Sequence, residues 1–258
     1  MDIKGNYIKF LGTAGARFVV MRQLRRSGGI WLHLNDTNVL LDPGPGSLIR
    51  CLSSKPPLNP RDLDGIVLTH RHLDHSNDIN IIIEAMTNGG FDPKGVVVAP
   101  SDALELDPVI FKYLRGYVKR IETLRLGKRY RIGNVSFSAG GAHRHGVETY
   151  GLNFENGNHL ISYIADTRYF LGMEEMYPGQ ILIINVVLLK ESSKIQHLSL
   201  SDAERIISVN RPKVAVLTHF GMTMLRAKPW ELAGELSDRL GVKVIAATDG
   251  MQFDLDQI

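Results

Sequence analysis

The chain has 258 residues, 44% of them hydrophobic, which suffices for one large domain or for two small ones. No linker-like stretch divides the sequence, so we expect a single domain over residues 1–258. The formal charge of +3 permits a nucleic-acid or phosphate ligand without requiring one, and the single cysteine, Cys51, excludes an internal disulfide framework.

The sequence also lacks membrane and export signals. No apolar run approaches the roughly 18 residues that span a bilayer, and the N-terminal segment Met1-Asp2-Ile3-Lys4-Gly5 lacks the apolar core of a signal peptide. These features predict a soluble, cytoplasmic protein without a membrane partner. The oligomeric state is left open, with a homo-oligomer among the alternatives.

The N-terminal region begins with an alternating strand at residues 7–11 and continues into a glycine loop at residues 12–16. The loop has neither the Gly-Lys-Ser/Thr of a P-loop nor the G-x-G-x-x-G spacing, so it gives only weak support for nucleotide binding. Four arginines follow within ten residues and form either a solvated surface or a contact for a phosphate-bearing substrate. They are Arg17, Arg22, Arg25 and Arg26.

The most informative stretch follows three predicted strands at residues 30–34, 39–41 and 65–68, the last of which is a short apolar run typical of a buried strand. It reads Thr69-His70-Arg71-His72-Leu73-Asp74-His75. Alternate residues of an extended segment point the same way, so His70 and His72 can face one metal ion while the next carboxylate and imidazole turn towards a second. One loop therefore offers ligands to two adjacent ions.

A helix is predicted after this loop, capped by residues 76–78 and ended by the glycines at residues 89–90. A strand at residues 96–99 follows. Residues 102–122 then resemble a helical insertion with a basic tail, which is either a solvated face or a substrate-recognition element. The basic residues are Lys112, Arg115, Lys119 and Arg120.

Two histidines, His143 and His145, come after a strand predicted at residues 135–139. A hairpin is expected at residues 153–164, because its central Asn-Gly pair favours a tight turn. Asp166 comes almost directly after the second strand of this hairpin.

An apolar run at residues 181–189 is interrupted only by Asn185, which is consistent with a strand covered on both faces. His197 stands in the polar loop that follows. Ser201 can cap the next helix, predicted at residues 202–209.

The C-terminal region starts with a strand at residues 214–218 that ends at His219. A helix follows at residues 230–240, closed by Gly241, and a last strand at residues 242–246. Both halves of the chain thus consist of strands followed by helices, which favours a sandwich of two sheets with helices outside.

The H-x-H-x-D-H spacing at residues 70–75 is the signature of the metallo-β-lactamase superfamily, which the chain resembles from Phe10 to near its C-terminus. The Leu-Gly-Thr-x-Gly opening at residues 11–15 is similar to that of the ribonuclease Z-like and cyclic-phosphodiesterase-like branch. The resemblance implies an α+β fold, a four-layer αβ/βα sandwich in which two mixed β-sheets pack face to face with helices outside. It also implies that Asp42, in an Asp-x-Gly segment, supports the histidine loop without binding metal.

The resemblance further implies a ligand set for two metal ions. His70, His72 and His145 would hold one ion, Asp74, His75 and His219 would hold the other, and Asp166 would bridge them. His145 is preferred to His143 because the ligand of related phosphodiesterases lies five residues before an aromatic-glycine pair, here Tyr150-Gly151.

On this resemblance the chain is a metallohydrolase whose two cations share a hydroxide, because they lower the pKa of water from near 16 toward about 7. The nitrogen and oxygen ligands suit zinc, manganese and iron alike, and zinc is the first choice. Asp74 would accept a proton during attack, and His197 would protonate a leaving oxygen or bind a nonbridging one. Two-iron redox relatives carry Glu at the position of His72, so this residue favours hydrolysis.

Three functions compete. The resemblance favours cleavage of phosphodiester bonds in a cyclic nucleotide, a small phosphodiester or RNA, and the alternative is hydrolysis of thioesters, lactones or other acyl substrates on the same metal core. A non-enzymatic nucleic-acid-binding protein would use the basic residues within 17–26 and 112–120. The long Gly/Pro-rich arm with which many ribonuclease Z proteins grip transfer RNA is not visible in the sequence, which counts against transfer-RNA processing.

Overall fold

The computed structural model describes residues 5–157 and 159–258. Residues 1–4, on which most of the signal-peptide prediction depends, lie outside this part of the chain. Within the described residues, none of the helices combines the length and the apolar surface that a bilayer crossing requires.

The described residues contain fourteen strands and seven α-helices. The strands are β1 (Tyr7–Phe10), β2 (Ile30–Leu34), β3 (Thr37–Leu41), β4 (Gly65–Val67), β5 (Val96–Ala99), β6 (Arg120–Thr123), β7 (Arg129–Ile132), β8 (Val135–Ala142), β9 (Tyr150–Glu155), β10 (Leu160–Ile164), β11 (Ile181–Asn185), β12 (Val214–Thr218), β13 (Lys243–Ala246) and β14 (Gln252–Asp254). The helices are α1 (Ala16–Arg22), α2 (Ser47–Leu52), α3 (Leu73–Ser76), α4 (Ile79–Met86), α5 (Leu200–Asn210), α6 (Met222–Arg226) and α7 (Pro229–Leu240).

The strands of the described residues form two seven-stranded sheets with matching designs. The first sheet has the order β14-β1-β2-β3-β4-β5-β6, and the second has the order β13-β12-β11-β10-β9-β8-β7. Strands β14 to β3 are antiparallel and β3 to β6 are parallel. In the second sheet β7 to β10 are antiparallel and β10 to β13 are parallel. Parallel strands end at the same edge of a sheet, so the loops after them gather there.

The side chains of β3 show how the core is divided, because successive residues of a strand point to opposite faces. Val39 and Leu41 enter the cluster between the sheets, where they join Phe137 and Phe154 of the second sheet. Leu40 points the other way and belongs to the cluster formed with α4. The second sheet has a similar outer cluster with α5 and α7. The layers run helix, sheet, sheet, helix, and the predicted four-layer α+β sandwich is confirmed.

The segment after the histidine loop differs from its prediction. Leu73–Ser76 forms the short helix α3, with His72 at its N-cap, so Asp74 lies on a helical turn. Asp78 occupies the N-cap of α4, but its side chain makes no capping hydrogen bond and accepts the N–H of Leu48 at 3.2 Å instead. The prediction of a side-chain cap at this helix was wrong because Asp78 serves a neighbouring helix.

Residues 102–122 do not form one continuous helix. They contain a π-helical turn, Asp102–Leu106, and a 3-10 helix, Lys112–Tyr117, and they end within β6. Arg115 of the predicted basic tail donates to the carbonyl of Leu104, so this side chain joins the two turns. The extent of the domain and of the insertion stays a prediction.

Several other elements agree with their predictions within one or two residues. Strands β2, β5 and β12 have the expected bounds, and the hairpin of β9 and β10 pairs antiparallel across its Asn-Gly turn. Gly241 closes α7 in the left-handed conformation, with φ of 61°. β11 stops at Asn185, four residues before its predicted end.

Helix α5 is capped by Ser199, not by Ser201. The hydroxyl of Ser199 accepts the N–H of Asp202 at 3.2 Å, and the carboxylate of Asp202 accepts the N–H of Ser199 at 2.8 Å. This reciprocal capping box satisfies two backbone donors that the helix itself leaves unpaired. Ser201 is exposed within the first turn, and the helix begins two residues earlier than predicted.

We expect Ser199→Ala to lower the free energy of unfolding by about 1 kcal/mol, because it removes the acceptor for the Asp202 N–H. Ser201→Ala, a matched control on the same turn, should change it by less than about 0.5 kcal/mol. Urea denaturation followed by circular dichroism measures both. A larger loss for Ser201→Ala would contradict the observed cap.

Candidate metal centre

All seven side chains predicted to bind metal converge where the two sheets meet at one edge. The loop after β4 and the short helix α3 that continues it supply four of them, the loop between β8 and β9 supplies one, and the ends of β10 and β12 supply one each. In that order they are His70, His72, Asp74, His75, His145, Asp166 and His219. The N–H of Tyr150 donates to the carbonyl of Thr69 at 3.2 Å and joins the first two loops.

The first donor group consists of His70, His72 and His145, whose donor atoms lie within 4.8 Å of one another. Nε2 of His145 is 3.1 Å from Nδ1 of His72. Nε2 of His70 is buried and has no hydrogen-bond partner among the described residues. Ligand atoms held tetrahedrally at about 2.0–2.1 Å from zinc lie roughly 3.3 Å apart. The spacing and the unpaired buried nitrogen both fit one bound cation.

The second donor group consists of Asp74, His75, Asp166 and His219, again with donor atoms within 4.8 Å of one another. Nε2 of His75 and Nε2 of His219 are 3.3 Å apart, and Nε2 of His219 is 3.6 Å from Oδ2 of Asp74. Three of the four residues are buried, and Asp74 is partly exposed. These distances fit a second cation beside the first.

Hydrogen bonds from outside the groups fix the protonation of two rings. A carbonyl or a carboxylate can only accept, so the ring nitrogen that faces it carries the proton. Nδ1 of His145 therefore donates to the carbonyl of Gln196, and Nδ1 of His75 donates to Asp42, each at 3.0 Å. In both rings Nε2 is directed into the donor groups, and a metal ion would bind this nitrogen in its deprotonated form.

Asp42 supports the histidine loop from a buried position. Its oxygens accept the N–H and the hydroxyl of Thr69, each at 2.7 Å, and the hydroxyl of Tyr163 at 3.3 Å, in addition to His75. The hydroxyl of Thr69 gives its proton to Asp42, so it can accept Nδ1–H of His70 at 3.1 Å. Asp42 also lies within 4.8 Å of the donor atoms of His70 and His75, but its oxygens are already occupied by these hydrogen bonds.

Asp166 lies between the two donor groups. Its Oδ2 is 3.9 Å from Nε2 of His70 in the first group and 3.5 Å from Nε2 of His75 in the second. Asn185 holds the other oxygen by donating Nδ2 to Oδ1 at 2.9 Å. The carboxylate therefore contacts both groups, and Asn185 restricts its rotation.

The charges of the site favour bound cations. Burial alone would raise the pKa of Asp166, but neighbouring histidines, led by His219, hold it well below its ordinary value, so the carboxylate is ionised. Burial opposes the charge on His75, yet nearby carboxylates, led by Asp166, raise its pKa well above its ordinary value. The carboxylates thus draw a proton onto a buried ring. A divalent cation bound here would supply that positive charge in its place.

His143 belongs to neither donor group. Its Nδ1–H donates to the carbonyl of Asp166 at 3.1 Å, and its Nε2 accepts the hydroxyl of the buried Tyr177. Burial lowers the pKa of His143 to about 4, so the ring is neutral near pH 7. Between the two histidines left open by the sequence, only His145 has a nitrogen directed at the other donors.

His197 lies beside Asp166 and His145. Its Nδ1 is 3.5 Å from Oδ2 of Asp166, and its ring centroid is 5.1 Å from that of His145. Burial lowers the pKa of His197, while the charge of Asp166 opposes this shift. Its Nδ1 is buried and unpaired among the described residues, so it is free to interact with a ligand.

Two further residues contribute to the site, and the first of them, Asn185, was not predicted. Asn185 stood out in the sequence only as the polar residue of an apolar run, and no local pattern connects it with Asp166. Gly15 packs directly on the last donor residue, because a Cβ at this position would lie 2.0 Å from the carbonyl oxygen of His219. A side chain there would displace His219, which explains why glycine is needed in the first loop.

Two mixed sheets packed face to face, with helices outside and histidine and aspartate donors at one shared edge, define a protein of the metallo-β-lactamase fold. The model of the family described as "Beta-lactamase superfamily domain" matches residues 37–220, and the chain belongs to this family. Membership places it among hydrolases that bind divalent metal.

The similar proteins cover nearly the whole chain. The uncharacterized protein MJ1374 of Methanocaldococcus jannaschii is 29% identical over 96% of this chain and 94% of its own. The metallo-β-lactamase fold protein YhfI from Bacillus subtilis has a TM-score of 0.80 at 19% identity, over 96% and 99% of the two chains. Human tRNase Z, short form, has a TM-score of 0.72 at 16% identity, over 96% and 99%. A diphosphatase from the PhnP family has a TM-score of 0.71 at 18% identity, over 97% and 98%.

His145→Ala and His143→Ala should differ in metal content, because only the loss of a donor atom empties a site. We expect His145→Ala to lose about one of two bound ions and His143→Ala to keep both, as measured by elemental analysis of dialysed protein. Circular dichroism of each variant serves as the folding control. The reverse result would move the third ligand of the first group to His143.

Proposed function

We propose that this protein is a hydrolase with a dinuclear metal centre, zinc being the first choice, and that it cleaves phosphodiester bonds. The substrate would be a cyclic nucleotide, another small phosphodiester or RNA. The main support is that Asp166 lies within reach of both donor groups while His197 stands beside it. When bound, two divalent cations would lower the pKa of a water molecule toward about 7 and neutralise charge that develops on the substrate.

The accessible side chains indicate where a substrate would bind. His72, Asp74 and His145 are partly exposed, and the remaining donors are buried, so a phosphodiester would bind against these three. Asp74 belongs to the second group, whereas His197 lies beside the first. A proton acceptor near one group and a proton donor near the other are what general acid–base catalysis of hydrolysis needs.

His197 also favours phosphodiesters over the thioesters of the acyl alternative. A thioester releases a thiolate, which leaves readily, whereas a nucleotide phosphodiester releases an alkoxide that needs a proton. A histidine next to the donors is therefore more useful for the second reaction. The similarity to tRNase Z and to a diphosphatase adds support, since the names of both proteins indicate substrates that are phosphorus esters or anhydrides.

Nucleic-acid binding without catalysis is the weaker alternative. Its basic residues at 17–26 lie on α1 and in the turn after it, and most of them are exposed, so they are available for a phosphate backbone. This role would leave the two donor groups without a purpose. Manganese and iron remain alternatives to zinc, because imidazole and carboxylate donors suit all three.

Metal content and a substrate panel test the proposed function. We expect about two metal ions per chain and metal-dependent cleavage of bis(p-nitrophenyl) phosphate that is faster than cleavage of lactones or glutathione thioesters. The panel is run with added zinc or manganese and repeated after treatment with a chelator. Faster turnover of the acyl substrates would favour the acyl hydrolase. Salt-sensitive RNA binding by a protein that takes up no metal would favour the binding protein.

His197→Ala should reveal the leaving-group role. We expect the variant to retain metal and to lose about two to four orders of magnitude in rate on a nucleotide phosphodiester. The loss on bis(p-nitrophenyl) phosphate should be much smaller, because its phenolate leaves without a proton. Steady-state rates on both substrates provide the measurement.

His143→Ala is the matched control, since it alters a nearby histidine outside both donor groups. Equal losses on the two substrates with metal intact would identify His197 as a phosphate-binding or structural residue. Loss of metal from His197→Ala would make it a ligand.

A further inference from the structure

Arg71 stands between the donors His70 and His72, and its guanidinium is held by two carboxylates outside the donor groups. Nε donates to Oδ2 of Asp102 at 2.8 Å, and Nη1 donates to Asp107. Asp102 begins the π-helical turn after β5, and Asp107 directly follows that turn. The arginine therefore ties the histidine loop to a second loop of the same sheet.

Asp102 also reaches the loop of the other sheet that carries His145. Its Oδ2 accepts the N–H of Glu148 at 3.2 Å, and its own N–H donates to Oε2 of Glu148 at 3.1 Å. The two residues thus exchange hydrogen bonds across the gap between the sheets, in the way that a capping box closes the start of a helix. One carboxylate oxygen serves both Arg71 and the backbone of Glu148.

Glu148 is fixed by further donors. The hydroxyl of Ser101 donates to Oε2 at 2.6 Å, and the hydroxyl of Tyr150 donates to Oε1 at 2.7 Å. Burial, with the neighbouring Glu148 carboxylate, raises the pKa of Tyr150 to about 12, so this phenol remains a donor. Burial would raise the pKa of Glu148, but the hydrogen bonds from Ser101 and Tyr150 lower it below its ordinary value, and the carboxylate stays ionised.

The first donor group depends on the relative position of these loops. His70 and His72 flank Arg71 on one loop, and His145 lies three residues before Glu148 on the other. In the second group, His219 and Asp166 come from strand ends that Asp102 does not touch. A contact that joins the two loops therefore acts on the first group more than on the second.

We propose that Asp102 and Glu148 are positioning residues that hold His145 against His70 and His72 and so set the affinity of the first metal group. The inference rests on the proposed metal centre, although the contact between the loops exists without metal. Neither residue contacts a donor atom of that group, so they act through Arg71 and through the backbone of residues 145–148.

Zinc affinity of the full-length protein tests the proposal by competition with a chelator of known affinity. We expect Asp102→Ala to lower the affinity for one of the two zinc ions by roughly 10–100-fold, as is usual when a group that orients a ligand is lost. The affinity for the other ion should not change. Asp102→Asn, which keeps an acceptor oxygen without its charge, should have an intermediate effect. Glu105→Gln, an exposed carboxylate on the same turn, is the matched control and should have no effect.

A double variant identifies which ion is affected. In the His145→Ala background the first group is already incomplete, so adding Asp102→Ala should not lower the affinity for the remaining ion. A lower affinity for the remaining ion in the double variant would overturn the specific link to the first group. An equal loss of affinity for both ions in Asp102→Ala alone would overturn it as well.

Hydrogen exchange of the metal-free protein separates this proposal from the proposed function. Asp102→Ala removes the acceptor of the Glu148 N–H, so exchange in residues 143–150 should accelerate while exchange in β12 stays unchanged. Unchanged exchange at 143–150 would overturn the positioning role even if the wild type binds two ions. Accelerated exchange in a protein that binds no metal would confirm the contact and would contradict the proposed function alone.

Discussion

The buried carboxylate of Asp42 is the interaction on which the site depends. A charge removed from water is costly unless hydrogen bonds replace the lost solvent, and Asp42 accepts from Thr69, His75 and Tyr163. Those partners belong to the end of the first sheet, to the short helix α3 and to a strand of the second sheet. The hydrogen bonds that the Asp42 carboxylate accepts therefore fix the histidine loop relative to both sheets. The same hydrogen bonds leave the Nε2 atoms of His70 and His75 facing the interior of the site.

The two-sheet architecture positions the donor side chains, because these come from both halves of the sandwich. Parallel strands of each sheet end at the edge where His70, Asp166 and His219 lie, and the rigid sheets place these side chains before any ligand arrives. Close approaches of the backbone complete the arrangement, as where Gly15 packs on the carbonyl of His219. The centre is thus a property of the contact between two sheets, and each sheet alone carries only part of it.

The sequence could predict what is local in the chain. Four donors stand within six residues of one loop, so their spacing alone indicates a shared site, and alternation of apolar residues predicts most strands. What it could not predict depends on contacts between distant residues. The role of Asn185 appears only when β11 lies beside Asp166, and the exchange between Asp102 and Glu148 spans 46 positions. The predicted cap of α5 was two residues too late, because Ser199 and Ser201 are the same residue type and either could cap a helix. Only the hydrogen bonds between Ser199 and Asp202 show which serine is the cap.

The order of strands in the first sheet has a consequence for the time course of folding. β1 pairs with β14 on one side, so that Tyr7 lies opposite Asp254. Ribosomes add about 5–20 residues per second, and roughly 10–50 s therefore separate the synthesis of these two residues. Only in the last part of that interval, after His219 has been made, are all seven donors present while one edge of β1 still lacks its partner. The donor set is therefore complete before the sheet closes, and until β14 is made the unpaired edge of β1 is open to pairing with another strand.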